Sequence, residues 1–143
     1  ELTSTKFSFD LDSDGKEDQI SSLKSGSGFL SLDLNGDGVI NNGGELFGPN
    51  SGNGFEDLAK YDSDHNNWID ENDDIFNKLR IWTKDEEGND KLFALGAIYL
   101  GNIGSEFSMK NSQNKSMAEV KSSGIFMEEN GTVGTVQQVD FIV

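Results

Sequence analysis

Three short stretches carry the chemistry of this chain: FDLDSDG from Phe9, LDLNGDG from Leu32 and YDSDHNN from Tyr61. In each, an oxygen-bearing side chain recurs at every second residue: Asp10, Asp12 and Asp14; Asp33, Asn35 and Asp37; Asp62, Asp64 and Asn66. Alternation around a tight turn aims successive carboxylates and amides at one point, which suits a hard cation taking six to eight oxygens at about 2.3–2.6 Å. Calcium is that cation. None of these positions is Lys or Arg, so no internal ion pair relieves the repulsion among the acids. The alternative is a set of solvated turns, since Asp, Asn and Gly form turns for local reasons alone. Three such turns in one chain favour the metal.

Set against the twelve-residue EF-hand register, the loops differ in how they close. In the second, Asp33, Asn35, Asp37 and Gly38 take positions 1, 3, 5 and 6, and Val39 takes position 7, which supplies a carbonyl. Position 12 is Gly44, and the acid, Glu45, comes one residue late. The segment Asn41–Gly44 is flexible enough to absorb the extra residue and turn Glu45 inward, as a bulge re-aims a side chain. The third loop is complete: Asp62, Asp64 and Asn66, then Trp68 at 7, Ile69 as the apolar residue at 8, Asp70 at 9 and Asp73 at 12. Asn67 replaces Gly at position 6, and Asn is the next most tolerant residue of a left-handed backbone. The first loop has Asp10, Asp12, Asp14 and Gly15, but Glu17 at the apolar position 8 and Ser21 at 12, so Asp18 or Glu17 must complete it. A fourth acidic turn at Asp85, Glu87 and Asn89 has neither Gly at 6 nor an acid at 12 and reads as a hairpin turn.

The elements around the loops follow from periodicity. FSFD and LSLD alternate, which predicts short strands entering the first two loops, with Ser21–Gly28 as a connection. Phe55, Leu58 and Ala59 share one helical face, and Ile75, Phe76 and Leu79 another, so the third loop is expected between two helices. Trp82 continues the second stripe and is expected in the core. From Ala97 onward AIYLGNI, SEFSMK, SMAEV, GIFMEENG and TVQQVDFIV read as strands, with a hairpin at Asn130–Gly131. The expected fold class is α+β: strand-entered acidic loops and an EF-hand-like helix–loop–helix in residues 1–82, then an antiparallel sheet in 83–143, within a single domain.

Composition narrows the partners. Twenty-six acidic residues against 11 basic ones give a net charge of −15. Such a surface repels nucleic-acid phosphates and anionic membrane, and no apolar run is long enough for membrane insertion. The absence of cysteine excludes disulfides and thiolate zinc sites. The single histidine, His65, lies at the outward-facing position 4 of the third loop, so no Ser/His/Asp or zinc constellation can be assembled.

The order FDLDSDG, then FLSLDLNGDGVINNGGELFG, then GFEDLAKYDSDHNNWIDENDDIFNKLRIW resembles the calcium-binding region of bacterial RTX-type exported proteins, including their calcium-dependent self-processing module. The resemblance covers Phe7 to Trp82 well and the remainder loosely. It implies calcium ligands at Asp33, Asn35, Asp37 and Glu45 and at Asp62, Asp64, Asn66 and Asp73, and makes the residue inserted before Glu45 part of the family pattern. It also implies a reaction in which an Asp side chain cleaves an Asp-Pro bond and the activated Asp joins a lysine amine. The only proline, Pro49, follows Gly48, so that reaction is not expected here. The sequence thus points to a non-catalytic module holding two to three calcium ions, secreted, serving structure or contact with a partner protein or other domains. Alternatives are a self-processing-like module without its Asp-Pro site and a calcium-dependent adhesion or carbohydrate-binding module.

Overall fold

The computed structural model describes residues 2–24, 26–85, 87–110, 116–127 and 133–141. Apolar alternation becomes strand where expected: β1 (Leu2–Phe9) and β3 (Phe29–Leu32) lead directly into the first two acidic loops. The expected connection after the first loop is shorter than its Ser and Gly content suggests. Residues Asp18–Leu23 form β2, which pairs antiparallel with β1 and puts Phe7 opposite Ile20 and Phe9 opposite Asp18.

The α+β expectation is wrong. Among the described residues the architecture is three antiparallel sheets, and the one α-helix, α1 (Gly54–Ala59), is six residues long. It starts where Asn53 caps the Glu56 amide at 3.1 Å, with Glu56 and Asp57 in its first turn, and it buries Phe55 and Leu58 but not Ala59. The second expected helix does not form. Ile75 opens a 3₁₀ turn, Phe76–Lys78, and the chain then extends as β5 (Leu79–Lys84). Leu79 and Trp82 sit at a helical spacing, yet the segment that follows Leu79 is Arg-Ile-Trp-Thr, whose β-branched and aromatic residues favour a pleated surface. Pairing with β3 decides it: Leu79 faces Leu32, Ile81 faces Leu30 and Trp82 faces Phe29.

β6 (Asp90–Phe93) completes this central sheet through the turn at Asp85, so the order is β3-β5-β6. The larger sheet holds β4 (Trp68–Ile69), β7 (Ala97–Tyr99), β8 (Ile103–Lys110), β9 (Ser116–Met127) and β10 (Val133–Phe141). SMAEV and GIFM, expected as separate strands, are one continuous β9 flanked by β10 on one edge and by β8 and β7 on the other. The expected Asn130–Gly131 hairpin falls outside the described residues.

Two hydrophobic clusters hold these sheets. Trp82, 2% exposed, centres one with Phe9, Ile20 and Ile40; its ring lies 4.9 Å from Phe9, 5.4 Å from Phe29 and 5.9 Å from Phe7, centroid to centroid. Its indole N–H donates to Asp90 Oδ1 at 3.1 Å, so the polar edge of the buried ring is paired. The other cluster joins Leu32, Leu58, Ile69, Leu79, Leu95, Ile98 and Leu100. Each cluster reaches an acidic loop at its position-8 isoleucine, Ile40 in the first and Ile69 in the second. Both residues are buried, as the register requires.

Candidate metal centre

The three loops are one backbone motif built three times. The first carboxylate accepts from the amides at positions 5 and 6: Asp10 from Asp14 and Gly15 at 3.0 Å each, Asp33 from Asp37 (3.2 Å) and Gly38 (2.9 Å), Asp62 from Asn66 (3.2 Å) and Asn67 (2.9 Å). The position-3 oxygen, on Asp12, Asn35 or Asp64, accepts from the position-5 amide at 3.1–3.2 Å. The position-5 oxygen, on Asp14, Asp37 or Asn66, accepts from the position-7 amide of Lys16, Val39 or Trp68 at 2.8–2.9 Å. Positions 4 and 6 take positive φ in all three: Ser13 62° and Gly15 86°, Gly36 71° and Gly38 78°, His65 58° and Asn67 69°. Asn67 adopts the conformation that Gly supplies elsewhere, at the modest cost an Asn pays in the left-handed region.

Closure separates the loops. Glu45 Oε1 accepts from Leu34 N–H (3.0 Å) and Oε2 from Asn41 N–H (2.8 Å); Asp73 Oδ1 accepts from Ser63 N–H (2.6 Å) and Oδ2 from Asp70 N–H (2.9 Å). In both loops these donors are the amides of positions 2 and 9. Glu45 is 5% exposed and Asp73 4%, so each is a buried carboxyl group held by two backbone amides. The extra residue of the second loop is absorbed by a 3₁₀ turn, Gly43–Glu45, started by Asn42, whose side chain accepts from Gly44 N–H at 2.8 Å. That turn, rather than a loose bulge, swings Glu45 inward. The first loop has no counterpart: Asp18 stands in β2 opposite Phe9, outside the group of Asp10, Asp12 and Asp14.

Among the described residues, two groups of acids bring an oxygen from each member within 4.8 Å of the others: Asp10/Asp12/Asp14, and Asp62/Asp64/Asp73. In the first, Asp10 is half-buried and the other two are exposed. In the third loop Asp62 and Asp73 are buried, and an all-oxygen set with no Lys or Arg paired to it matches what calcium takes. Asp33, Asp37 and Glu45 do not form so tight a group, and Asn35 supplies the amide between them. Val39 and Trp68 occupy position 7, Val39 exposed and Trp68 packed at a tilt against Tyr99, ring centroids 5.1 Å apart.

Electrostatics rank the loops further. Asp64 is held above the ordinary aspartate value, first by partial loss of hydration and then by Asp62, Asp73 and Asp70, which together outweigh the Asn66 amide. Asp37 is held below it, chiefly by the Val39 N–H and then by the Asn41 and Asn35 amides. Asp70 is likewise lowered, by the Asn72 N–H first. Negative charge is therefore welcome at position 5 of the second loop and opposed at position 3 of the third. The Asp85 turn shares only part of the motif: Asp85 Oδ1 accepts from Glu87 and Asn89 amides (2.9 and 2.8 Å), and no closing acid follows. It is the expected hairpin between β5 and β6.

A cleft of about 300 Å³ beside α1 is lined by Leu32, Glu45, Phe47, Asp57, Lys60 and Tyr61 among others. Asp57 there is fully engaged, by Gly48 N–H (3.0 Å), Ser51 Oγ (2.7 Å) and Lys60 Nζ (3.2 Å). His65, in an exposed loop, has no place in it.

With the loops in view, the family relation can be stated, because the match runs through all of them: the SPM domain model covers residues 1–142. This chain belongs to the SPM domain family. The chain is also similar to the iron-regulated protein FrpA of Neisseria meningitidis serogroup C, with 43% identity over 63 residues, 38% of this chain and 6% of FrpA. The shared segment is a small part of that relative's length.

Proposed function

We propose that this SPM domain is a calcium-binding module of an exported bacterial protein, in which the ion drives folding and stiffens a structural or interaction surface. The observation that carries the reading is the shared closure of the second and third loops: acids of different length, at different offsets, fall on the same two backbone amides. Asp33, Asn35, Asp37, Val39 and Glu45 would hold one ion and Asp62, Asp64, Asn66, Trp68 and Asp73 a second; Asp10, Asp12 and Asp14 would hold a third with fewer protein ligands. Calcium supplies positive charge to clusters of acids, above all to the third, where Asp62, Asp73 and Asp70 oppose charge on Asp64, and the unfolded chain offers no such site, so binding free energy becomes folding free energy.

Similarity to part of FrpA and the resemblance to RTX-type proteins support a bacterial, extracellular setting. Millimolar calcium outside the cell saturates loops with dissociation constants of roughly 10⁻⁴ to 10⁻³ M, so imperfect loops suffice there. In this reading the role is binding rather than catalysis. Calorimetric titration of chelator-stripped protein with calcium tests it: two to three equivalents bound, with Asp73→Ala and Glu45→Ala each removing one, support the assignment. Unchanged stoichiometry in both variants refutes it.

A further inference from the structure

The first loop has no closing acid, yet its backbone is locked to the turn that delivers the closing acid of the second. Gly43 N–H donates to the Asp10 carbonyl at 2.8 Å, and Ser13 Oγ donates to Asn42 Oδ1 at 3.2 Å. Gly43 is buried, and a Cβ there would overlap the carbonyl oxygen of Leu11, the residue between Asp10 and Asp12. Gly43 begins the 3₁₀ turn that ends at Glu45. Beyond the junction, Phe9 at the entrance to the first loop and Ile40 at the exit of the second share the Trp82 cluster. The third loop reaches neither feature: its Ile69 packs in the other cluster, and β4 hydrogen-bonds to β7 in the larger sheet. Leu32, entering the second loop, belongs to that other cluster, so the second loop touches both sides and meets the first at its closing turn and in the Trp82 cluster.

We infer that the first loop is a positioning element for Glu45: occupancy of Asp10–Asp14 and closure of the second loop are positively coupled through the Gly43 junction, while the third loop fills independently. The inference rests on the calcium reading above. Fixing Asp10 and Asp12 around an ion fixes the Asp10 carbonyl and the Leu11 oxygen, and these set where Gly43, and hence Glu45, can sit. Linkage makes the effect reciprocal: whatever factor the first ion adds to the second loop's affinity, the second adds to the first.

Calcium titration of ¹⁵N-labelled protein, followed at the amides of Gly15, Gly38 and Asn67, reads the three loops separately. Asp14→Ala, which leaves the Asp10 and Leu11 backbone against Gly43 in place, is expected to weaken the second loop about 5- to 150-fold and leave the Asn67 curve unmoved. Gly43→Ala is expected to weaken both of the first two loops and spare the third. Ser13→Ala, which removes only the hydroxyl bond to the Asn42 cap of the Glu45 turn, gives a smaller shift in the same direction and serves if Gly43→Ala fails to fold. An unchanged Gly38 curve in Asp14→Ala overturns the coupling while leaving calcium binding intact. Equal weakening at Gly38 and Asn67 overturns it too, since that marks general destabilisation. If no amide of the wild type responds to calcium, the binding reading itself has failed.

Discussion

The second and third loops reach one geometry by two routes. The third keeps the regular offset and closes with a short acid, Asp73; the second inserts a residue, coils it into a 3₁₀ turn and closes with the longer Glu45. The two differ again in charge placement, with Asn35 then Asp37 in one and Asp64 then Asn66 in the other. The difference teaches that the invariant is the pair of backbone amides at positions 2 and 9, to which side-chain length and loop length are jointly fitted. Spacing alone is a poor guide to such a site, because a methylene and a residue can compensate one another.

Removing a closing acid breaks the comparison most severely. Asp73→Ala strips the acceptor from the Ser63 and Asp70 amides and is expected to cost about 1–3 kcal/mol in denaturant unfolding together with one calcium equivalent. Gly43→Ala attacks the route peculiar to the second loop; the added methyl meets backbone that cannot rotate away, and about 1–3 kcal/mol is expected, read as a lowered denaturation midpoint at unchanged slope. Glu45→Asp tests the fitting directly. Shortened by a methylene at its late position, the acid should reach only one of its two amides, costing about 1 kcal/mol and weakening the second loop alone. Retained affinity in that variant would mean that chain length is not what the extra residue compensates.

The smallest effect concerns charge. Because the folded state raises the Asp64 value, ionised Asp64 lowers stability at neutral pH in the absence of a cation, and the penalty fades as pH falls through the folded value. Asp64→Asn in chelator should therefore melt slightly higher than wild type at pH 7, with the gap closing below the ordinary value of 3.8. Asp37 and Asp70 run the other way: their lowered values give stability above 3.8 that is lost as pH falls through the folded values. Asp37→Asn should accordingly melt lower at pH 7, the mirror image of Asp64→Asn.

Much of the candidate site was legible because it depends on local rules. Alternating oxygens and Gly or Asn at position 6 are short-range signals, and Asp10–Gly15, Asp33–Gly38 and Asp62–Asn67 take the turn they imply. The frame of the third loop was misread as a pair of helices. Ile75, Phe76 and Leu79 sit at a spacing that also suits a 3₁₀ turn feeding a strand, and only the partner β3, far away in sequence, settles the choice. β2, whose C-terminal half was expected as connection, was missed for the same reason: its polar composition hides the buried Ile20 and Ser21 that pair with β1. The 3₁₀ turn at Gly43 had a local signal, Asn42 as a cap, but its dependence on the Leu11 carbonyl is a tertiary contact.

The most direct test of the account is the melting of chelator-stripped protein with calcium, with magnesium and with neither. A large rise in melting temperature specific to calcium, abolished in the Asp73→Ala, Glu45→Ala double variant, is the predicted result. Melting curves that coincide in all three conditions would contradict it and leave three acidic turns satisfied by their own amides without an ion.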